Sequence, residues 1–186
     1  MASDCADIET GRHVRPASIK VWDPLVRVFH WSLASAFFVA FFSEEGEGLH
    51  NNAGYVVLGL ILFRLLWGFV GGRHARFSDF VTSPATAVRY GVDILRGHAR
   101  RTIGHNPAGG AMVLALLGMC LVTAGSGWAM TMDQFWGNEW VEGLHKTAAN
   151  ITVVLVGLHI LGVLIACWQH RENLVKAMIT GRKPAD

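Results

Sequence analysis

Charge is what this sequence has least of. Only 16% of its 186 residues are Asp, Glu, Lys or Arg, against 52% hydrophobic residues. So small a share excludes a disordered chain and does not suit an ordinary water-soluble domain. The formal net charge of +2 is too slight to argue for a nucleic-acid partner. Cysteine is scarce as well: Cys5, Cys120 and Cys167 stand far apart. They leave no disulfide framework, no Cys-x-x-Cys zinc pair and no Cys-x-x-Cys-His for covalent haem attachment. The polar start of the chain has no short apolar core with a small-residue cleavage site. It does not read as a signal peptide, so the first apolar segment is expected to remain in the mature protein.

What the sequence does have is four long apolar runs, at Leu25–Phe42, His50–Val70, Pro107–Gly125 and His145–Trp168. Each approaches the ~20 residues a helix needs to cross the hydrocarbon of a bilayer. The expected fold is all-α, a four-transmembrane-helix bundle over residues 21–182, with a polar segment 1–20 before it and a tail 183–186 after it. A soluble bundle is disfavoured because the runs carry almost no charged face to meet water. The segments Ser43–Leu49 and Ser126–Leu144 hold no Lys or Arg, but contain Glu44, Glu45, Glu47, Asp133, Glu139 and Glu142. The opposite side collects Arg12, Arg15, Lys20, Arg73, Arg76, Arg89, Arg96, Arg100, Arg101, Arg171, Lys176, Arg182 and Lys183. Basic residues stay inside, so both termini are expected on the cytoplasmic side of the membrane. Within the long connection Gly71–Asn106, Ser83-Pro84 reads as a helix start. Ala85, Val88, Val92 and Leu95 then recur at helical spacing, which suggests a short interfacial helix held against membrane lipid.

Ionisable side chains inside a membrane are costly and point to function. His30 lies in the first run, His50 opens the second, and His145 and His159 are in the fourth. The last two are 14 residues apart, which puts them on one helix face about 21 Å apart along the axis. Topology then pairs them by depth: His30 with His159 near the cytoplasmic surface, His50 with His145 near the outer one. Two facing imidazoles suit bis-histidine haem iron, whereas zinc usually takes more protein ligands. His170 returns to the face of His159 but sits among interfacial residues, and His13, His74, His98 and His105 fall in basic, solvated segments. A lone intramembrane histidine is commonly a packing residue; four in two depth-matched pairs are not. Haem propionates need cationic partners, for which Arg64, Arg27 and Lys146 are candidates, and Gly54 would let a flat ring approach the backbone. Arg27 and Lys146 could equally reach toward lipid head groups. No residue presents a nucleophile or general base in a catalytic arrangement.

The strings Trp22-Asp-Pro-Leu-Val-Arg-Val-Phe-His30-Trp31, Leu49-His50-Asn51-Asn52-Ala-Gly54-Tyr55, Leu144-His145-Lys146 and Gly157-Leu-His159 resemble the bacterial cytochrome b561 family. The same pattern occurs in haem b subunits of nickel–iron hydrogenases and formate dehydrogenases. The resemblance covers about Val21 to Arg182. It implies two non-covalent b haems, with electrons passing between membrane quinone and a redox partner. In the formate dehydrogenase relatives quinone lies near an Asn and a Gly on a loop, and Asn106-Pro107-Ala108-Gly109 is similar, which makes Asn106 and Gly109 quinone candidates. The acidic outer loops favour a lysine-rich periplasmic partner such as a c-type cytochrome. Three alternatives stand beside this: superoxide oxidation coupled to quinone reduction, which an acidic outer face disfavours; the anchor and electron outlet of a larger dehydrogenase; and a haem-free scaffold or transporter, which leaves the paired histidines unexplained.

Overall fold

A computed structural model of the chain describes residues 18–44 and 47–185. The expectations on Arg12, His13, Arg15 and Glu45 lie outside the described residues. Four helices are long and apolar enough to cross a membrane: α1 (Pro24–Phe42), α2 (Gly48–Val70), α5 (Pro107–Met130) and α6 (Glu139–His170). Between α2 and α5 lie a short 3-10 turn at Arg73–Ala75, α3 (Phe77–Phe80) and α4 (Pro84–Leu95). After α6 come α7 (Leu174–Thr180) and a strand β2 (Arg182–Pro184), which pairs antiparallel with β1 (Ser18–Lys20).

Local sequence starts most of these helices. Asp23 accepts the Leu25 N–H at 2.7 Å, Asn106 accepts the Gly109 N–H at 2.6 Å, and proline follows each at the first helical position. Ser83 caps α4 in the same way, with Pro84 next to it. Each such cap is worth about 1 kcal/mol, because it satisfies an amide that the helix itself leaves unpaired. Two spans are longer than their apolar runs. Helix α5 continues past Gly125 to Met130, since nothing between them breaks it. Helix α6 starts at Glu139 rather than His145, because Asn138 caps it and Glu139 and Glu142 lie favourably in its first turn. His145 is therefore inside the helix and does not open it.

The spans neighbour one another in the order α1, α2, α5, α6. A core of Phe29, Val57, Ile61, Leu117, Cys120 and Ala124 joins the first three. Helix α6 lies along α5, where small side chains allow a close seam: Ala148 and Thr152 are buried, and Thr152 Oγ1 is 3.3 Å from Thr123 Oγ1. From α1 and α2 the α6 backbone stays largely clear. The short α2–α5 and α6–β2 elements gather at one end with the Arg and Lys residues, called the basic end here. The two short loops at the other end carry Glu44, Glu47 and Asp133, and with Glu139 and Glu142 in the first turn of α6 they form the acidic end.

The basic end is more than a fringe of solvated charge. Arg182–Pro184, of which the sequence reading leaves Lys183 and Pro184 to a tail, close a small sheet with the segment ahead of α1. Lys183 and Glu172 are buried, at 6% and 7% exposure. Glu172 pairs with Arg101 and lies 3.6 Å from Lys183 Nζ, which also donates to the Thr102 carbonyl at 3.2 Å. Gly181 ends α7 with φ of 79° and touches Arg27 and Trp22 where a Cβ would stand, so both backbone and space call for glycine.

Candidate haem sites between the helices

The gap between α6 and the α1–α2 pair is bridged at two levels. Near the basic end the His30 and His159 rings stand 6.4 Å apart, centre to centre; near the acidic end His50 and His145 stand 6.1 Å apart. An iron–imidazole bond of about 2 Å, plus about 1 Å from nitrogen to ring centre, separates two axial imidazoles by about 6 Å. Both pairs match that spacing. Among the described residues no three His, Cys, Asp or Glu side chains converge as a metal cage. Such pairs suit iron that brings its own four equatorial nitrogens.

The acidic-end histidines are also oriented. His50 Nδ1 donates to the Ala40 carbonyl at 2.9 Å, and His145 Nδ1 donates to the Thr123 carbonyl at 2.8 Å, with Ser126 Oγ at 3.4 Å. A ring held through Nδ1 to a carbonyl presents Nε2 to a metal, the usual arrangement of a ligating histidine. Gly127 makes room for this: a Cβ there would stand 2.9 Å from His145 Cε1. At the basic end His30 Nδ1 is buried without a hydrogen-bond partner.

A family profile described as prokaryotic cytochrome b561 matches residues 21–181. The chain belongs to that family. As a cytochrome b561 family member it is a multi-pass membrane protein that carries haem b and transfers electrons. Curated relatives similar to it include three proteins named as probable Ni/Fe-hydrogenase B-type cytochrome subunits. The one from Rhodobacter capsulatus is 25% identical, over 95% of this chain and 85% of its own length. That from Rhizobium leguminosarum bv. viciae is 22% identical, over 96% and 94%. That from Azotobacter vinelandii is 24% identical, over 90% and 89%. No solved structure matches the chain significantly.

The other sequence candidates around the cytochrome's histidines fall in varied settings. At Gly54, one turn after His50, no atom lies within 4 Å of where a Cβ would be, so helix packing does not require glycine there. Arg64 is enclosed, at 2% exposure, with its guanidinium 5.0 Å from the Phe77 ring centre and Nη2 donating to the Ala75 carbonyl at 2.9 Å. Its Nη1 has no hydrogen-bond partner, and neither has the buried Nε of Arg27. Lys146 Nζ bonds Glu142 Oε1 at 2.7 Å on the surface. Asn106 and Gly109 hold each other in the α5 cap.

His105 is a correction. It is not a solvated residue of the basic loop: its ring packs 4.7 Å from Trp22 and 4.6 Å from Phe80, and its Nδ1 is buried without a partner. Burial first, then the nearby Arg64 and Lys183 cations, push its pKa down to about 4. His74 is half-buried and bonds Asp79 at 2.9 Å, while His98 is exposed as expected. Sequence reasoning missed Thr123, Ser126 and Gly127. Their only signal was a run of small and polar residues inside an otherwise apolar span.

Proposed function

We propose that the chain is a two-haem transmembrane cytochrome that passes electrons between membrane quinone and a redox partner at its acidic end. One observation carries this reading: two histidine pairs of iron-bridging width at two depths, with His145 and His159 sharing one face of α6. Haem b supplies a reversible one-electron couple when bound. The residues do the rest. His30 with His159, and His50 with His145, would hold the two irons between paired imidazoles and so would leave no open site for oxygen. Helices α1, α2, α5 and α6 exclude water from the path between the two levels. Gly54 leaves a flat ring space at the acidic-end pair, and Arg64 supplies a fixed positive charge toward the basic end.

The basic end faces the cytoplasm of the bacterial inner membrane on this reading, by the positive-inside rule. Quinone exchange belongs there, where the α5 start at Asn106–Gly109 lies within reach of the membrane interface. At the acidic end Glu44, Glu47, Asp133, Glu139 and Glu142, with exposed Trp136 and Trp140, offer a docking face for a basic periplasmic protein such as a c-type cytochrome. The names of the relatives favour a second arrangement, in which the partner is a larger dehydrogenase and this chain is its anchor and electron outlet.

The test is haem content per chain in the purified, detergent-solubilised protein, with a reduced-minus-oxidised spectrum. Two non-covalent b haems are expected. One haem would remove the ligand role of one pair, and none in a folded protein would overturn the reading. Co-purification with a dehydrogenase, set against reduction or oxidation by a c-type cytochrome, separates the two partner arrangements.

A further inference from the structure

We infer that the two histidine pairs hold iron at ordered potentials, the acidic-end pair the lower, and that the Ala40 and Thr123 carbonyls with Gly127 set this order. The inference rests on the two-haem reading above. At the acidic end both ligands donate Nδ1–H to a backbone carbonyl, at 2.9 Å from His50 and 2.8 Å from His145. Such a bond draws the Nδ1 proton away and makes Nε2 a stronger donor, which favours the ferric state. At the basic end His30 Nδ1 is buried with no hydrogen-bond partner, so that ligand keeps the weaker basicity of an unassisted imidazole.

Charge acts in the same direction. The acidic end carries Glu44, Glu47 and Asp133 in its loops and Glu139 at the start of α6, and their negative field opposes an added electron. Arg64, at 2% exposure and six residues from the basic end of α2, places a cation in a low-dielectric setting on the side of His30 and His159. Hydrogen bonding and fixed charge therefore agree. A single electron shared between the levels rests at the basic end.

Gly127 is the positioning residue. A Cβ there would lie 2.9 Å from His145 Cε1 and 3.1 Å from Nδ1, so an alanine pushes the ring off the Thr123 carbonyl. The position acts through His145 and touches no reacting atom.

The experiment is a reductive titration of the full-length protein in detergent, followed by its visible spectrum. His145→Ala and His159→Ala assign the steps to the acidic-end and basic-end pairs. Two one-electron steps are expected, with the ferrous-to-ferric ratio at the basic-end pair at least tenfold that at the acidic-end pair, about 59 mV apart. Gly127→Ala should raise the lower step and leave the upper one in place, which also assigns the steps if a ligand variant does not fold. Coincident steps, a reversed order, or a Gly127→Ala shift in the upper step or in neither would overturn the inference. A haem count other than two would instead sink the two-haem reading on which it rests.

Discussion

The two ends of the molecule hold similar histidine pairs in different ways. At the acidic end the connections are short, and support for the two histidine rings comes from the backbone of the spans themselves, through the Ala40 and Thr123 carbonyls. At the basic end His30 Nδ1 has no such bond, and the surrounding structure is far more elaborate: a two-stranded sheet, α3, α4 and α7, and buried Arg64, Glu172 and Lys183. The contrast shows two routes to one geometry. One locks each ring through a backbone carbonyl; the other builds a cap that fixes the helix ends and leaves His30 Nδ1 without a polar partner.

The sharpest way to break the comparison is to remove a ligand from each end. His145→Ala should lose the acidic-end haem and keep the other, and His159→Ala should do the reverse, each halving the haem content per chain. His170→Ala should lose neither, since His170 ends α6 and no facing ring stands opposite it among the described residues. Pyridine haemochrome content together with the spectrum reads all three. Loss of a haem in His170→Ala, with both kept in His159→Ala, would reverse the depth assignment at the basic end.

The cap is tested by its buried charges. Glu172 lies between Arg101 and Lys183, and Lys183 is itself only 6% exposed. Glu172→Gln keeps the shape and removes the compensating charge, leaving an unpaired buried ammonium. The expected cost is about 3 kcal/mol in thermal or denaturant unfolding, since breaking a buried pair from one side is expensive. Adding Lys183→Met should recover much of it, because the double variant buries no unpaired charge. The damage should reach the His30–His159 pair before the His50–His145 pair. A Glu172→Gln protein as stable as the parent would mean that water reaches Lys183 and that the cap is not held by this network.

The spans and the four histidines were legible because each rests on a feature that residue identity carries directly: apolar runs of bilayer length, and imidazoles where none is otherwise tolerated. The 14-residue offset from His145 to His159 needed only helix geometry to become a prediction of two levels. The carbonyl bonds to His50 and His145 were not legible, since a backbone oxygen has no residue identity and its place depends on how α1 packs on α2 and α5 on α6. The burial of Lys183 was not legible for a related reason: a charged side chain ordinarily stays in water, and the pairing of β1 with β2 draws this one inside beside Glu172. His105 follows the same pattern. Its neighbours in sequence are polar, and the Trp22 and Phe80 rings that cover it come from distant segments.

His105 also gives the smallest and most specific way to separate the two ends, by pH. Arg64, Lys183, Asp79 and His74 act on the ring electrostatically, and burial with the two cations outweighs the Asp79 carboxylate, so its folded pKa is about 4 against an ordinary 6.5. Between those values the unfolded chain binds a proton that the folded chain refuses. Stability from this group is therefore complete above about pH 6.5 and is lost as pH falls toward 4. The shift alone sets a ceiling of about 3 kcal/mol, and water at the exposed edge of the ring reduces that to about 1–2 kcal/mol. His105→Phe keeps the aromatic packing and removes the titration, so its stability should fall less steeply than that of the parent between pH 6.5 and 4. Thermal unfolding of both proteins across that range measures the difference. Because His105 belongs to the cap, spectral changes on acidification should begin at the His30–His159 pair. Identical pH slopes would show that the folded protein admits the proton without cost, and that the cap is looser around His105 than its packing implies.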